Sequence, residues 1–189
     1  MERWTERTRL LLGDEKLGRL RSAHVLVVGL GGVGAYAAEM IVRAGAGRLT
    51  IADADRVAET NINRQLVALH STVGRPKAEV LAERLRDINP DLQLTVIEKY
   101  IRDEETDRLL DAAPYDYAVD AIDTLSPKLA LIKGCLDRGI PIPRAWRSPT
   151  SAARTTARWR TCCANVCTNS ASAPDSAPSS RPNLHAKGR

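Results

Sequence analysis

The chain has 189 residues, 43% of them hydrophobic, with 28 Lys/Arg against 23 Asp/Glu; that is long enough for one α/β domain with a real core. No apolar run approaches membrane-spanning length, and no charged-then-apolar leader opens the chain at Met1-Glu2-Arg3-Trp4, so a cytoplasmic protein with no membrane partner is expected. The net charge of +5 does not argue for a basic, nucleic-acid-coated body: eight of the Lys/Arg and one of the Asp/Glu lie beyond Ile142, which leaves 20 basic against 22 acidic residues before it.

Leu10, Leu11, Leu12, Leu17 and Leu20 predict a helix over residues 5–21 with Arg7 and Arg9 near its start, where a cation gains nothing from the helix dipole. A β-branched run then predicts a strand over 25–30. It leads directly into Gly29-Leu30-Gly31-Gly32-Val33-Gly34 and a helix over 33–44, ended by Gly45. Strand, glycine turn and helix in that order make a phosphate-binding unit, with free helix-terminal amides facing an anion. Gly31 and Gly32 allow a ligand close to the backbone, and Gly34 allows the helix close to its strand. A second strand, 49–52, closes on Asp53, nineteen residues after Gly34, where a carboxylate is placed to bind ribose hydroxyls.

Up to this point the chain would pass for an NAD-binding domain. The polar run Asp53-Ala-Asp55-Arg56-Val-Ala-Glu59-Thr60-Asn61-Ile62-Asn63-Arg64-Gln65 argues for a triphosphate instead, because Arg and Asn donors can hold phosphoryl oxygens while hydride transfer needs no such cluster. Pro76 starts a helix over 76–88, and Lys77 in its first turn is badly placed for the dipole unless an anion faces it. A strand over 92–97, a short helix over 103–111 and a strand over 115–119 follow. Asp120 and Asp123 then lie at a strand's C-terminal end, where they would hold Mg²⁺ against phosphates, or where Asp123 would cap a helix over 124–138. Ile140-Pro141-Ile142 begins a fifth strand. The fold expected is α/β, a Rossmann-like doubly wound, mostly parallel sheet with helices on both faces.

Gly-Leu-Gly-Gly-Val-Gly at 29–34, Asp53-Ala-Asp55, Asn61-x-x-Arg64-Gln65, Gly74-x-Pro-Lys77 and Asp120-Ala-Ile-Asp123 stand together in one order. In this the chain resembles the ThiF/MoeB adenylating enzymes, bacterial relatives of ubiquitin-activating enzymes. Within them, Glu59-Thr60-Asn61, Ile88-Asn89-Pro90, Asp123-Thr124 and Lys128 are similar to the tRNA threonylcarbamoyladenosine dehydratases. The resemblance implies ATP and Mg²⁺ as cofactors. Gly29, Gly31, Gly32 and Gly34 would line the nucleotide, Asp53 would bind its ribose, Asp55 would also belong to the nucleotide site, and Asn61, Arg64 and Lys77 would hold phosphates. Gln65 would support their loop and Asp123 would coordinate the metal. Arg7, with Arg9 as second choice, would reach into a partner subunit's site, which implies a homodimer. The substrate implied is a carboxylate on a tRNA adenosine; the alternative is a sulfur-carrier protein's C-terminal glycine, with a sulfur-transfer partner.

Beyond Ile142 the character changes. Residues 143–189 are rich in Arg, Ser, Ala, Thr, Pro and Cys and lack apolar periodicity, so a disordered basic tail is expected after a nucleotide-binding domain of 1–142 that is itself incomplete. Cys162, Cys163 and Cys167 lack the second matched pair that a zinc site needs. Back-translating Cys162–Asn183 and shifting the frame gives an amphipathic helix followed by a strand, so the break is expected to be a frameshift near Ile142.

Overall fold

The computed structural model describes residues 3–102 and 104–142. Four parallel strands, β1 (His24–Val28), β2 (Arg48–Ala52), β3 (Gln93–Ile97) and β4 (Tyr117–Asp120), form one sheet in the order β3-β2-β1-β4. Central β1 pairs on both sides, Val25 with Leu49 and with Tyr117. All five of its residues are buried, which is why it reads as an unbroken apolar run rather than an alternation.

Helices cover both faces, as the doubly wound reading expects. Val25, Val27, Leu49 and Ile51 point to one side, against Ala38, Ile41 and Val42 of α3 (Gly34–Ala44) and Leu81 and Leu85 of α4 (Lys77–Ile88). Leu26, Val28 and Ala118 point to the other, against Leu109 and Leu110 of α5 (Glu104–Asp111) and Leu131 and Cys135 of α6 (Leu125–Asp137). The strand period of two sorts the sheet's side chains into two cores.

Three expectations change. The helix over 5–21 is broken: a 3-10 turn (Arg3–Thr5) and α1 (Glu6–Leu12) are separated from α2 (Asp14–Ser22) by Gly13 at φ 81°. Leu17 and Leu20 are buried, whereas Leu10 and Leu11 of α1 are 71% and 82% exposed, so the expected single apolar face does not exist. The fourth strand begins at Tyr117 rather than 115, because Asp116 turns its carboxylate to the His24 N–H (2.7 Å). Residues 140–142 form no strand among the described residues, although Ala118 N–H donates one bond to the Pro141 carbonyl (2.9 Å). The expectations for residues 143–189 lie outside the described residues.

Candidate functional site

The C-terminal ends of the strands open into a cleft of about 440 Å³. Its floor is the glycine turn. Gly29 sits at φ 89°, a conformation glycine adopts freely, and a Cβ there would lie 2.7 Å from the Ala121 carbonyl oxygen. Gly34 is tighter still: a Cβ would stand 1.7 Å from the Gly29 carbonyl oxygen. Gly29, Gly31 and Gly32 line the cleft; Gly34 does not, and its role is to bring α3 against the turn.

Asp53 closes β2 and clamps the turn. One carboxylate oxygen accepts from Leu30 N–H (2.6 Å) and the other from Asp55 N–H (2.7 Å). Asp55 in turn meets Lys77, the first residue of α4, at 2.8 Å, with the lysine side chain 6% exposed and the carboxylate 49% exposed. The anion that Lys77 requires is therefore present within the chain. The Lys77 ammonium, by hydrogen bonding, holds the Asp55 carboxyl below its ordinary titration range; the Tyr100 hydroxyl also donates to Asp55 (3.1 Å), and that contact pushes its own titration up.

Arg64 and Gln65 form the facing wall. Arg64 is exposed and its guanidinium donates to the Thr60 carbonyl (3.0 Å) and to Asn63 (2.9 Å). Gln65 is 9% exposed, and its amide oxygen is buried with no hydrogen-bond partner. Asn61 does not line the cleft. Its side-chain oxygen accepts from Ala58 N–H (3.1 Å), and its carbonyl from Arg64 and Gln65 N–H (3.1 and 2.9 Å), so it shapes the turn that presents them.

The carboxylate pair after β4 divides. Asp120 is bound to Lys128 and to Ile122 N–H and does not line the cleft. Asp123 does, and among the described residues it accepts a bond from its neighbour Thr124 (3.2 Å). Thr124, not Asp123, is the N-cap of α6, without a side-chain capping bond. Among the described residues no three His, Cys, Asp or Glu converge as a metal cage; one carboxylate with ligand oxygens suits Mg²⁺ better. Arg7 is exposed on α1, away from the cleft lining.

Lys99, Tyr100, Ile101 and Arg102 also line the cleft, and the Arg102 guanidinium lies 5.3 Å from the Tyr100 ring centre. The sequence reading missed them. The one signal available was their position directly after a parallel strand, the edge at which α/β proteins bind ligands.

A doubly wound parallel sheet with a glycine turn, a carboxylate after β2 and lysine and arginine around an open cleft defines a Rossmann-like ligand-binding protein. The chain belongs to the ThiF family, whose family model matches residues 5–184. It is 43% identical over 142 residues to the tRNA threonylcarbamoyladenosine dehydratase of Escherichia coli, covering 74% of this chain and 53% of that one. It is 43% identical over 136 residues to the Bacillus subtilis protein of the same name, covering 72% and 53%. The crystal structure of the Escherichia coli dehydratase in complex with ATP superposes with a TM-score of 0.71 at 43% identity, over 73% of this chain and 56% of that one. The chain thus spans about half the length of these relatives.

Proposed function

We propose that the chain binds ATP in this cleft and serves the adenylation of a carboxylate, that of threonylcarbamoyladenosine in tRNA. The observation that carries the reading is the joint placement of Lys77, Arg64 and Asp123 around the glycine turn, in a chain 43% identical to dehydratases. The cleft suits a triphosphate. The floor is bare backbone where a Cβ at Gly32 would come within 3.3 Å of the Arg64 carbonyl, and cations stand on two walls. The N-terminal ends of α3 and α6 reach it at Val33 and Thr124, and their free amides favour negative charge.

When bound, ATP supplies an activated α-phosphorus that a carboxylate attacks with loss of pyrophosphate. The chain's own residues do the rest. Lys77 and Arg64 hold phosphoryl oxygens and stabilise spreading charge, which fixed donors do without reorganisation. Asp53 accepts from ribose hydroxyls while keeping its hold on the turn. Asp123 would hold Mg²⁺ together with phosphate oxygens. Arg7, exposed on α1, completes the site of a second subunit in a homodimer. We infer further that the coding frame shifts near Ile142, which sequencing of the gene tests: an intact frame with the printed tail refutes it.

ATP–pyrophosphate exchange, with and without tRNA carrying threonylcarbamoyladenosine, tests the function. Exchange that depends on that tRNA is expected. Exchange driven by a small carrier protein with an exposed C-terminal glycine would move the chain to the sulfur-carrier adenylyltransferases. NAD binding that survives loss of Lys77 would overturn the ATP reading.

A further inference from the structure

We infer that Lys128 is a positioning residue of the cleft: from the first turn of α6 it grips Asp120, and through Asp120 it fixes the Ala121–Asp123 turn and the place of the Asp123 carboxylate. The inference rests on the role proposed above for Asp123.

Neither member of the pair lines the cleft, and both are withdrawn from water, the lysine side chain 13% and the aspartate 8% exposed. A lysine in a helix's first turn opposes the dipole, and removing both charges from water is costly. Such pairs can often be exchanged for apolar residues without loss of stability, so stability alone does not account for this one. Geometry does. While Lys128 holds one Asp120 oxygen, the other accepts from Ile122 N–H (3.1 Å), and Ala121 N–H donates to the Val28 carbonyl (2.9 Å). Ala121 is wedged against the glycine turn: its carbonyl oxygen lies 2.7 Å from where a Gly29 Cβ would stand, and its methyl 3.0 Å from where a Gly34 Cβ would stand. Asp123 follows two residues later and lines the cleft. If the Asp120 anchor moves, the turn that carries Asp123 moves with it.

The test uses the full chain with Lys128→Met, Lys128→Arg and, as a benchmark, Asp123→Asn. Two readouts are taken: amide hydrogen exchange across 119–125 and across α4, and ATP affinity with and without Mg²⁺. Lys128→Met is expected to speed exchange at 119–125 well beyond any rise in α4. It should also reduce the affinity gained from Mg²⁺ about tenfold, the scale of losing a residue that orients a metal ligand. Lys128→Arg should restore both. Should Lys128→Met not fold, the double variant Asp120→Asn/Lys128→Met leaves no buried charge unpaired and takes its place. Unchanged exchange at 119–125, or exchange that rises equally in α4, overturns the inference. If Asp123→Asn keeps the whole Mg²⁺ gain, the metal role of Asp123 fails, and the exchange data still decide the role of Lys128.

Discussion

Replacing Lys77 by Met separates a ligand contact from a structural one. In the structure the ammonium is held by Asp55 at 2.8 Å, and its side chain is 6% exposed. The carboxylate partner is 49% exposed, so losing the lysine leaves it in contact with water and with the Tyr100 hydroxyl. An ion pair with one member so exposed contributes no more than about 1 kcal/mol, and methionine keeps the apolar stem packed in α4. The melting temperature should therefore fall by only a few degrees, about 2–6 °C for a body of this size. Nucleotide binding should suffer far more. A hydrogen bond to a charged group contributes about 1.5–3 kcal/mol, which is roughly a 10–150-fold weaker Kd for ATP. Titration calorimetry with ATP, beside a thermal melt of the same samples, reads both quantities. An unchanged Kd would refute the reasoning, since it would mean that Lys77 never leaves Asp55 for the ligand. A fall in stability of several kcal/mol with no selective loss of binding would make the lysine a structural residue.

The glycines give a matched pair. Gly34→Ala places a methyl 1.7 Å from the Gly29 carbonyl oxygen and should cost about 1–3 kcal/mol or more by overpacking, whereas Gly18→Ala in α2 meets nothing within 4 Å and should add about 0.5–1 kcal/mol; urea denaturation of both checks the contrast, and equal midpoints would sink it. His24 is buried, its titration lowered from 6.5 first by burial and then by Arg48, against opposition from Asp116 and the Pro114 carbonyl. Below pH 6.5 the unfolded chain takes up a proton that the folded one refuses, so stability is whole above pH 6.5 and falls as the pH drops below it; urea midpoints from pH 8 to 5 should show that step, and His24→Gln should remove it. The Cys135 thiol is buried and pushed up to about 11, so iodoacetamide at pH 8 should leave its peptide unmodified until urea unfolds the protein, as mass spectrometry would record.

What the sequence revealed follows a physical line. The glycine turn was legible because strand, turn and helix are contiguous, and each leaves a local mark: the apolar run of β1, the glycines and the α3 pattern. Asp53 was legible as a residue of the cleft because it stands at the end of the next strand, but its bond to Leu30 N–H, which clamps the turn, left no mark in the sequence. Lys99, Tyr100 and Arg102 were not legible. They carry no periodicity and no glycine, and they reach the cleft only because the sheet order puts β3 beside β2. Leu10 and Leu11 misled because their helical spacing runs on through Gly13 to Leu17 and Leu20, although Gly13 ends α1 as Gly45 ends α3. Spacing alone also left Asp120 and Asp123 equivalent; a salt bridge to a lysine eight residues away separates them.

That lysine exposes a repeated arrangement. At two places a strand of the sheet leads to a carboxylate, and a lysine in the first turn of a following helix grips it: Asp55 with Lys77 of α4, and Asp120 with Lys128 of α6. The two pairs share residue types and differ in burial. Asp55 is half exposed, so water can take over its solvation when a more highly charged anion draws Lys77 away. Asp120 is 8% exposed, and without Lys128 it would remain a buried and uncompensated charge, the costly case. The first pair can therefore open to a ligand and the second cannot. On the role proposed for Lys77, burial of the carboxylate, rather than the lysine itself, separates the cation offered to a ligand from the one kept by the scaffold. Leu129→Arg, on an exposed position of α6, should leave both pairs intact, while Ala121→Gly, which takes a methyl from against the glycine turn, should loosen the turn that Asp120 anchors and leave Lys77 as it was. Amide exchange across 119–125 reads the difference, and faster exchange in the first variant but not the second would refute the argument.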